Sequence, residues 1–282
     1  MNAFPELIKS QLDFLQNWRN KLDELIQQLN YQEGDIRKDY FRMSYNNVKQ
    51  YYISYTSYLT SYLINDSLLI SQDGVDSRYG GHLLEVKALT KDIRDLNGCF
   101  YSMNHRVYIM AWSLFELAIS TVFNHVCPDK KKEDYFNTKF KEIKNKVPKE
   151  HWEQVKKTLK IKSINLLPMP TKYGYLLKIA KGYDGNKQND LEFLTFFGKF
   201  RNTVHSNFIY FGEDFDYKFG QAHFVFRNGK SVKWTDPFSY HENIPTVELY
   251  THLIGRLNDI ALKIFSALHY EGFIGYPDPD AE

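Results

Sequence analysis

Cysteine is scarce in this chain of 282 residues, and so are the short motifs that mark metal and cofactor sites. The two cysteines, Cys99 and Cys127, lack the spacing of a zinc site or of a disulfide framework. Such sparse cysteine is typical of a reducing compartment, so we predict a cytoplasmic protein. The sequence contains no His-Glu-x-x-His motif, glycine-rich phosphate loop or Gly-x-Ser-x-Gly turn. It therefore points to no cofactor, no metal and no serine-hydrolase chemistry.

Long uncharged apolar runs are missing as well. The longest apolar stretch, Val107–Phe123, is short for a membrane span and carries Glu116, so it predicts a buried helix and no membrane association. The first residues lack the basic and apolar regions of a signal peptide. The net charge of +2 excludes a protein that attracts nucleic acid over its whole surface, so any nucleic-acid site must be local.

The apolar residues, 43% of the chain, follow helical spacing over most of its length. Residues three and four apart predict amphipathic helices over 5–30 and 246–270. Further helices are predicted at about 35–69, 82–96, 107–125, 134–146, 149–160, 171–183 and 191–207. Asn228-Gly229, between the strand patterns Tyr217–Arg227 and Ser231–Trp234, predicts a β-hairpin.

These elements predict a mostly α fold, a helical bundle with a small β-hairpin near 216–235. We divide it into an N-terminal helical extension over residues 1–98, a helical domain over 99–275 that holds the hairpin, and a disordered tail over 276–282. One tyrosine line on the second helix, formed by Tyr51, Tyr55, Tyr58 and Tyr62, has the spacing of a packed core face. An RNA-stacking platform is the alternative.

The stretch Leu191–Asn207 holds the strongest functional signal. Arg201 and His205 are four residues apart, so on a helix they lie on one face. Gly198 lacks a side chain and so allows another helix or a ligand backbone to approach closely. A fixed cation beside a titratable imidazole, without metal ligands, suits RNA cleavage, because the ribose 2′-hydroxyl is an internal nucleophile.

This stretch resembles the motif of the HEPN superfamily, all-helical domains that include many metal-independent endoribonucleases. The family motif is an arginine followed by a polar residue, and then a histidine near the end of a helix. Arg201-Asn202 and His205 match it in type and order, with three residues between arginine and histidine, fewer than in the usual motif. Val107–Phe123 resembles the first core helix of these domains, with Glu116 at an acidic position often found there.

The resemblance implies an activity and a set of roles. Arg201 and His205 would be catalytic, Asn202 would orient the phosphate or cap the helix, and Glu116 would hold Arg201. The family also implies a homodimer in which two Arg–His pairs form one cleft. It implies a bacterial toxin or antiviral-defence effector, with an antitoxin or regulatory protein as a further partner.

Lysines outnumber acidic residues about two to one over residues 129–162, which gives a local positive patch suited to phosphates. We assign four lysines to RNA binding: Lys156, Lys157, Lys160 and Lys199. A solvated charged face is the alternative for the patch.

Alternatives also exist for the Arg–His pair itself. Arg201 and His205 could form an ordinary helix surface, with His205 near the negative end of the helix dipole and Asn207 as the C-cap. The polar line Ser113, Glu116, Ser120 and Asn124 could face solvent rather than Arg201. A non-catalytic helical module that binds RNA or a partner protein is the competing function.

Overall fold

In the computed structural model, helices account for most of the described chain, which comprises residues 4–66, 93–155, 157, 167–235, 237 and 247–276. The helices are α1 (Phe4–Gln28), α2 (Ile36–Asp66), α3 (Ile93–Val126), α4 (Asp129–Lys144), a 3₁₀ turn (Lys149–His151), α5 (Met169–Ile179), α6 (Lys187–Val204) and α7 (Glu248–Ala267). The strands are β1 (Ile209–Tyr210), β2 (Phe215–Phe219), β3 (Ala222–Phe226), β4 (Lys230–Ser231) and β5 (Lys233–Trp234). The predicted mostly α fold with a small β element is confirmed.

The strands form two small antiparallel sheets, one of order β2-β3-β5 and one that pairs β1 with β4. The predicted turn at Asn228-Gly229 is confirmed, because β3 and β5 pair across it and Gly229 has a φ of 68°. The prediction of one strand over Tyr217–Arg227 was wrong. The chain reverses at Gly220, where φ is 57°, and β2 pairs with β3 on either side of this second turn.

The helix α3 also differs from the prediction. The sequence suggested one helix ending near residue 96 and another starting at Val107, but α3 is continuous from Ile93 to Val126. Gly98 costs a helix about 1 kcal/mol relative to alanine, which a helix of this length tolerates. The expected loop at 71–81 and the first part of the expected helix at 82–96 lie outside the described residues.

The chain divides into two compact units, each built from three stretches. The first unit comprises Met1–Gln28, Phe41–Trp112 and Phe196–Arg256, and the second comprises Leu29–Tyr40, Ser113–Thr195 and Leu257–Glu282. The first holds α1, all five strands and the C-terminal end of α6. The boundary predicted near residue 98 stays a prediction, and residues 277–282 of the predicted tail lie outside the described residues.

In the second unit, a buried ion pair fastens the start of α2 to residues 270–274. Arg37 and Asp35 are almost fully buried and join at 2.7 Å. Arg37 also donates to the carbonyl oxygens of Tyr270 and Gly272, and Asp35 accepts from the Ile274 N–H group. Burial raises the pKa of Asp35, but the hydrogen bonds from Arg37 and Ile274 outweigh this effect and lower it overall.

In the first unit, the tyrosine line of α2 is a core face where its side chains are described. Tyr51 and Tyr55 are buried, and their hydroxyl groups donate to Asn104 and Gln11. Because neither ring faces solvent, these two tyrosines are unavailable for stacking on RNA. The side chains of Tyr58 and Tyr62 lie outside the described residues.

The helices α3 and α6 approach closely within the first unit. Tyr108 stacks on Phe197 with ring centroids 4.0 Å apart, and its hydroxyl group donates to the Phe197 carbonyl at 3.1 Å. A Cβ atom on Gly198 would lie 2.9 Å from Cζ2 of Trp112. The expectation that Gly198 permits close helix packing is therefore confirmed.

The other side of α6 packs on the sheet. Phe196 stacks on Tyr217 of β2 with centroids 4.1 Å apart, and Phe200 meets Phe224 and Trp234 edge to face. Alternate residues of β3 are buried, as expected for a strand with one face on a core. The last turns of α6 are thus held between a helix and a sheet.

We predict that Gly198→Ala destabilises the protein, because the new methyl group would push against the buried, stacked ring of Trp112. Overpacking of this kind costs about 1–3 kcal/mol. The matched control is Gly255→Ala in α7, where no atom lies within 4 Å of the added Cβ. There alanine should stabilise the helix by about 0.5–1 kcal/mol. Urea denaturation of both variants measures the difference, and equal unfolding free energies would contradict the prediction.

Candidate functional site

The end of α6 determines where the Arg–His pair lies. The helix ends at Val204, three residues before the predicted end at Asn207. The Phe208 N–H group donates to the Thr203 carbonyl at 2.7 Å, and Asn207 has a φ of 52°. This is the pattern of a helix that ends with a left-handed residue, and asparagine tolerates that conformation. Asn207 and Phe208, whose φ is 63°, therefore turn the chain away just after the helix, and this conformation fits the alternative role of Asn207 as a cap.

Arg201 lies in the last turn of α6 and is half-buried. Its Nη1 donates to Oδ1 of the neighbouring Asn202 at 3.1 Å. Its Nε is buried and has no hydrogen-bond partner among the described residues. A guanidinium group has five N–H donors. Asn202 thus fixes part of the side chain and leaves donors for an anionic ligand.

His205 is the first residue after α6, and its side chain is exposed. Within the described part of the chain, no hydrogen bond or ring contact fixes the imidazole. An exposed imidazole keeps access to water and substrate, which a general acid or base requires. Arg201 and His205 therefore flank the same helix end, but no hydrogen bond joins them.

A cleft of about 430 Å³ lies beside this helix end in the first unit. Its polar lining residues include Lys199, Asn202, Ser206 and Glu213, and Phe211 and Gly212 also line it. Arg201 and His205 are not among its lining residues.

Lys199 is the predicted RNA-binding lysine that lines this cleft. It is half-buried, and its Nζ lies 4.2 Å from the centroid of the Phe215 ring. Of the other predicted RNA-binding lysines, Lys157 is exposed and belongs to the second unit. Lys156 and Lys160 lie outside the described residues.

Glu116 belongs to the second unit, where it is half-buried and lines a pocket with Lys172. Its predicted pairing with Arg201 stays a prediction. The sequence did not predict that Lys172 is buried beside Glu116, because no feature of the sequence distinguishes this lysine from the exposed ones.

Sequence reasoning also missed His105, which supports the turn after α6. Its ring lies 4.5 Å from the ring of Phe208 and 5.7 Å from that of Tyr250, measured between centroids. Burial disfavours the imidazolium form and lowers the pKa of His105 to about 4. A histidine two positions before the apolar run of α3 was the available signal.

No family model, curated protein or solved structure matches this chain. The likeness to HEPN domains accordingly rests on the residues of the Arg201 and Glu116 segments. Among the described residues, no group of three or more His, Cys, Asp or Glu side chains could hold a metal ion.

One described helix segment, Ser102–Val126, is long and apolar enough to cross a membrane. However, 56% of its apolar window is buried inside the protein, and the core helix of a soluble protein meets the same criteria. This burial is weak support for the expectation of a core helix.

The position of His105 predicts a pH dependence of stability. The folded pKa of about 4 lies below the ordinary histidine value of about 6.5, so the unfolded chain binds more protons between these values. The stabilising contribution of neutral His105 is therefore complete above about pH 6.5 and falls as the pH decreases towards 4. With allowance for partial exposure, we expect a loss of about 1–2 kcal/mol.

Replacing His105 with phenylalanine should remove this loss of stability at low pH, because phenylalanine does not titrate. The phenylalanine ring can pack against the neighbouring rings of Phe208 and Tyr250. His151→Ala, at an exposed histidine of the 3₁₀ turn, is the control. Urea denaturation at pH 7 and pH 4.5 measures the loss in each protein. An unchanged pH dependence in His105→Phe would show that His105 is not responsible.

Proposed function

We propose that this protein is a metal-independent endoribonuclease of HEPN type, with Arg201 and His205 as its catalytic residues. The observation that carries the proposal is the arrangement at the end of α6. Arg201 is held in the last turn of a rigid helix, and exposed His205 follows that helix directly. The sequence likeness to the HEPN motif supports the same assignment.

In the proposed reaction, the ribose 2′-oxygen attacks the adjacent phosphorus and the bond to the 5′-oxygen breaks. His205 either removes the proton of the 2′-hydroxyl group or protonates the departing 5′-oxygen, a role worth roughly 10²–10⁴ in rate. Arg201 binds the phosphate and stabilises the charge that develops on it. Asn202, which accepts a hydrogen bond from Arg201, orients the guanidinium group. The products are a 2′,3′-cyclic phosphate and a 5′-hydroxyl group.

The wider setting follows from the same likeness. We propose a cytoplasmic toxin or antiviral-defence effector that acts as a homodimer, with an antitoxin or regulatory protein as a further partner. In such a dimer, two Arg–His pairs share one cleft. The short spacing between Arg201 and His205 makes a second pair useful, because groups from two chains can then complete one site.

A non-catalytic module that binds RNA or a partner protein is the second candidate. The specific observation in its favour is the lining of the cleft beside α6. Lys199, Asn202 and Ser206 line that cleft, whereas the proposed catalytic residues Arg201 and His205 do not. A lysine and two hydrogen-bonding side chains suffice to hold a phosphate without cleaving RNA.

We predict that the purified protein cleaves a mixed RNA pool in EDTA and leaves 2′,3′-cyclic phosphate ends. Arg201→Ala and His205→Ala should each lower the cleavage rate by about 10²-fold or more. The matched controls are Arg106→Ala and His151→Ala, which remove exposed residues of the same types elsewhere. End-group analysis and fluorescence polarisation with labelled RNA give cleavage and binding from the same samples.

The outcomes separate the two candidates. RNA binding without cleavage by any protein, weakened by Arg201→Ala and unaffected by His205→Ala, would establish the binding module. Equal cleavage by the wild type and all variants would show that another site or a contaminant is responsible. Neither binding nor cleavage would overturn both assignments.

A further inference from the structure

Three residues of the polar line on α3 contribute to a second pocket, which does not include the Arg–His pair. Glu116, Ser120 and Asn124 are spaced four residues apart on an otherwise apolar helix, so they lie about 6 Å apart along its axis. In the second unit, these three residues and Lys172 of α5 line a pocket of about 480 Å³. These three residues therefore face a pocket, and neither bulk solvent nor a packed core.

Lys172 is a buried cation with spare donors. Its relative exposure is 3%, and its Nζ donates to Oγ of Ser120 at 2.9 Å. An ammonium group has three N–H donors, and no ion pair of Lys172 occurs among the described residues. Burying a charge is costly unless it is paired and hydrogen-bonded. An anionic group bound in the pocket would supply the missing partner.

The same pocket has acceptors that lack donors. Oδ1 of Asn124 is buried and has no hydrogen-bond partner among the described residues. The half-buried carboxylate of Glu116, on the other side of Ser120, forms no hydrogen bond or ion pair within the described part of the chain. The pocket thus offers a cation at its centre and acceptors on both sides along α3.

Charge and shape together restrict the ligand. Burial lowers the pKa of Lys172, while the negative charge of Glu116 raises it, so the two residues interact electrostatically without direct contact. A plain anion such as phosphate would meet repulsion from Glu116, and a plain amine would meet repulsion from Lys172. A molecule that carries both charges matches both residues. Leu117, Leu167 and Met169 add an apolar wall for a side chain.

We propose that this pocket binds a free α-amino acid. Its carboxylate would accept hydrogen bonds from Nζ of Lys172 and Oγ of Ser120, and its ammonium group would donate to Glu116. Ser120 now donates to Sδ of Met169 at 3.7 Å, a weak bond that a carboxylate replaces at little cost. This proposal does not rest on the proposed nuclease, because none of the ligand contacts uses Arg201, Asn202 or His205, and the role of Glu116 in holding Arg201 stays a prediction.

Isothermal titration of the full chain with each of the twenty amino acids tests the proposal. Sodium acetate, inorganic phosphate and methylamine are the comparison ligands, since each carries only one of the two charges. We expect at least one amino acid to bind at millimolar concentration or tighter, and the three comparison ligands to bind at least tenfold more weakly. Acetate or phosphate binding as tightly as the best amino acid would overturn the zwitterion assignment, and so would no binding by any amino acid.

Two variants locate the binding within the pocket. Lys172→Met keeps an unbranched side chain and should weaken binding tenfold or more, as expected for the loss of a charged hydrogen bond. Glu116→Gln keeps the shape and should weaken binding of the amino acid while leaving acetate binding equal or stronger. The control is Lys178→Met, an exposed lysine on the same helix α5. If both test variants bind the amino acid as tightly as the wild type does, the ligand binds outside this pocket and the proposal is wrong.

Circular dichroism shows whether Lys172→Met is folded. If that variant is unfolded, the affinity of Glu116→Gln for the amino acid decides whether the ligand binds in this pocket. RNA cleavage measured on the wild type without amino acids separates the two proposals, because either can fail while the other holds.

Discussion

The close approach of α3 and α6 in the first unit is the contact on which the candidate site depends. At Gly198 there is no room for a methyl group, because the ring of Trp112 occupies that space. Tyr108 adds a stacked ring and a hydrogen bond to the backbone of Phe197, so the contact fixes both the distance and the rotation of α6. A helix fixed in rotation also fixes the direction of Arg201, one turn further along. Dispersion contacts of this kind are individually small, but they act together over two buried aromatic faces.

The sheet completes this support of α6 from the other side. Phe196 and Phe200 bind the last turns of α6 to β2, β3 and β5. The support ends with the helix, since Asn207 turns the chain away and His205 remains exposed. Beyond it, Phe208 packs on His105 and anchors the far side of the turn. The arginine side chain is therefore held in part by Asn202, whereas no hydrogen bond or ring contact among the described residues fixes the histidine.

The sequence predicted those features that depend on periodicity or on a single residue type. The spacing of leucines located α1 and α7 to within a few residues, and Asn228-Gly229 located a turn between strands. It did not locate the turn at Gly220, because the strand pattern continues across that glycine without a break. The sequence also predicted a helix at the Arg–His segment, but it placed the end of that helix three residues too late. That end depends on a hydrogen bond from Phe208 to Thr203, which no periodicity reports. Burial of Lys172 was equally hidden, since tertiary packing alone distinguishes it from solvated lysines.

For the phosphate binding that we propose for Arg201, the charge of its hydrogen-bond partner matters. A carboxylate in direct contact would hold the guanidinium group, but it would also neutralise the charge meant for the phosphate. Asn202 holds Nη1 through a neutral amide oxygen and leaves the positive charge intact. The field of Glu116 acts on Lys172 within its own unit, where a buried cation has more need of compensation than a half-buried one. Asn202 thus gives Arg201 the neutral hydrogen-bond partner that suits the proposed phosphate binding, whereas the negative charge of Glu116 acts on Lys172.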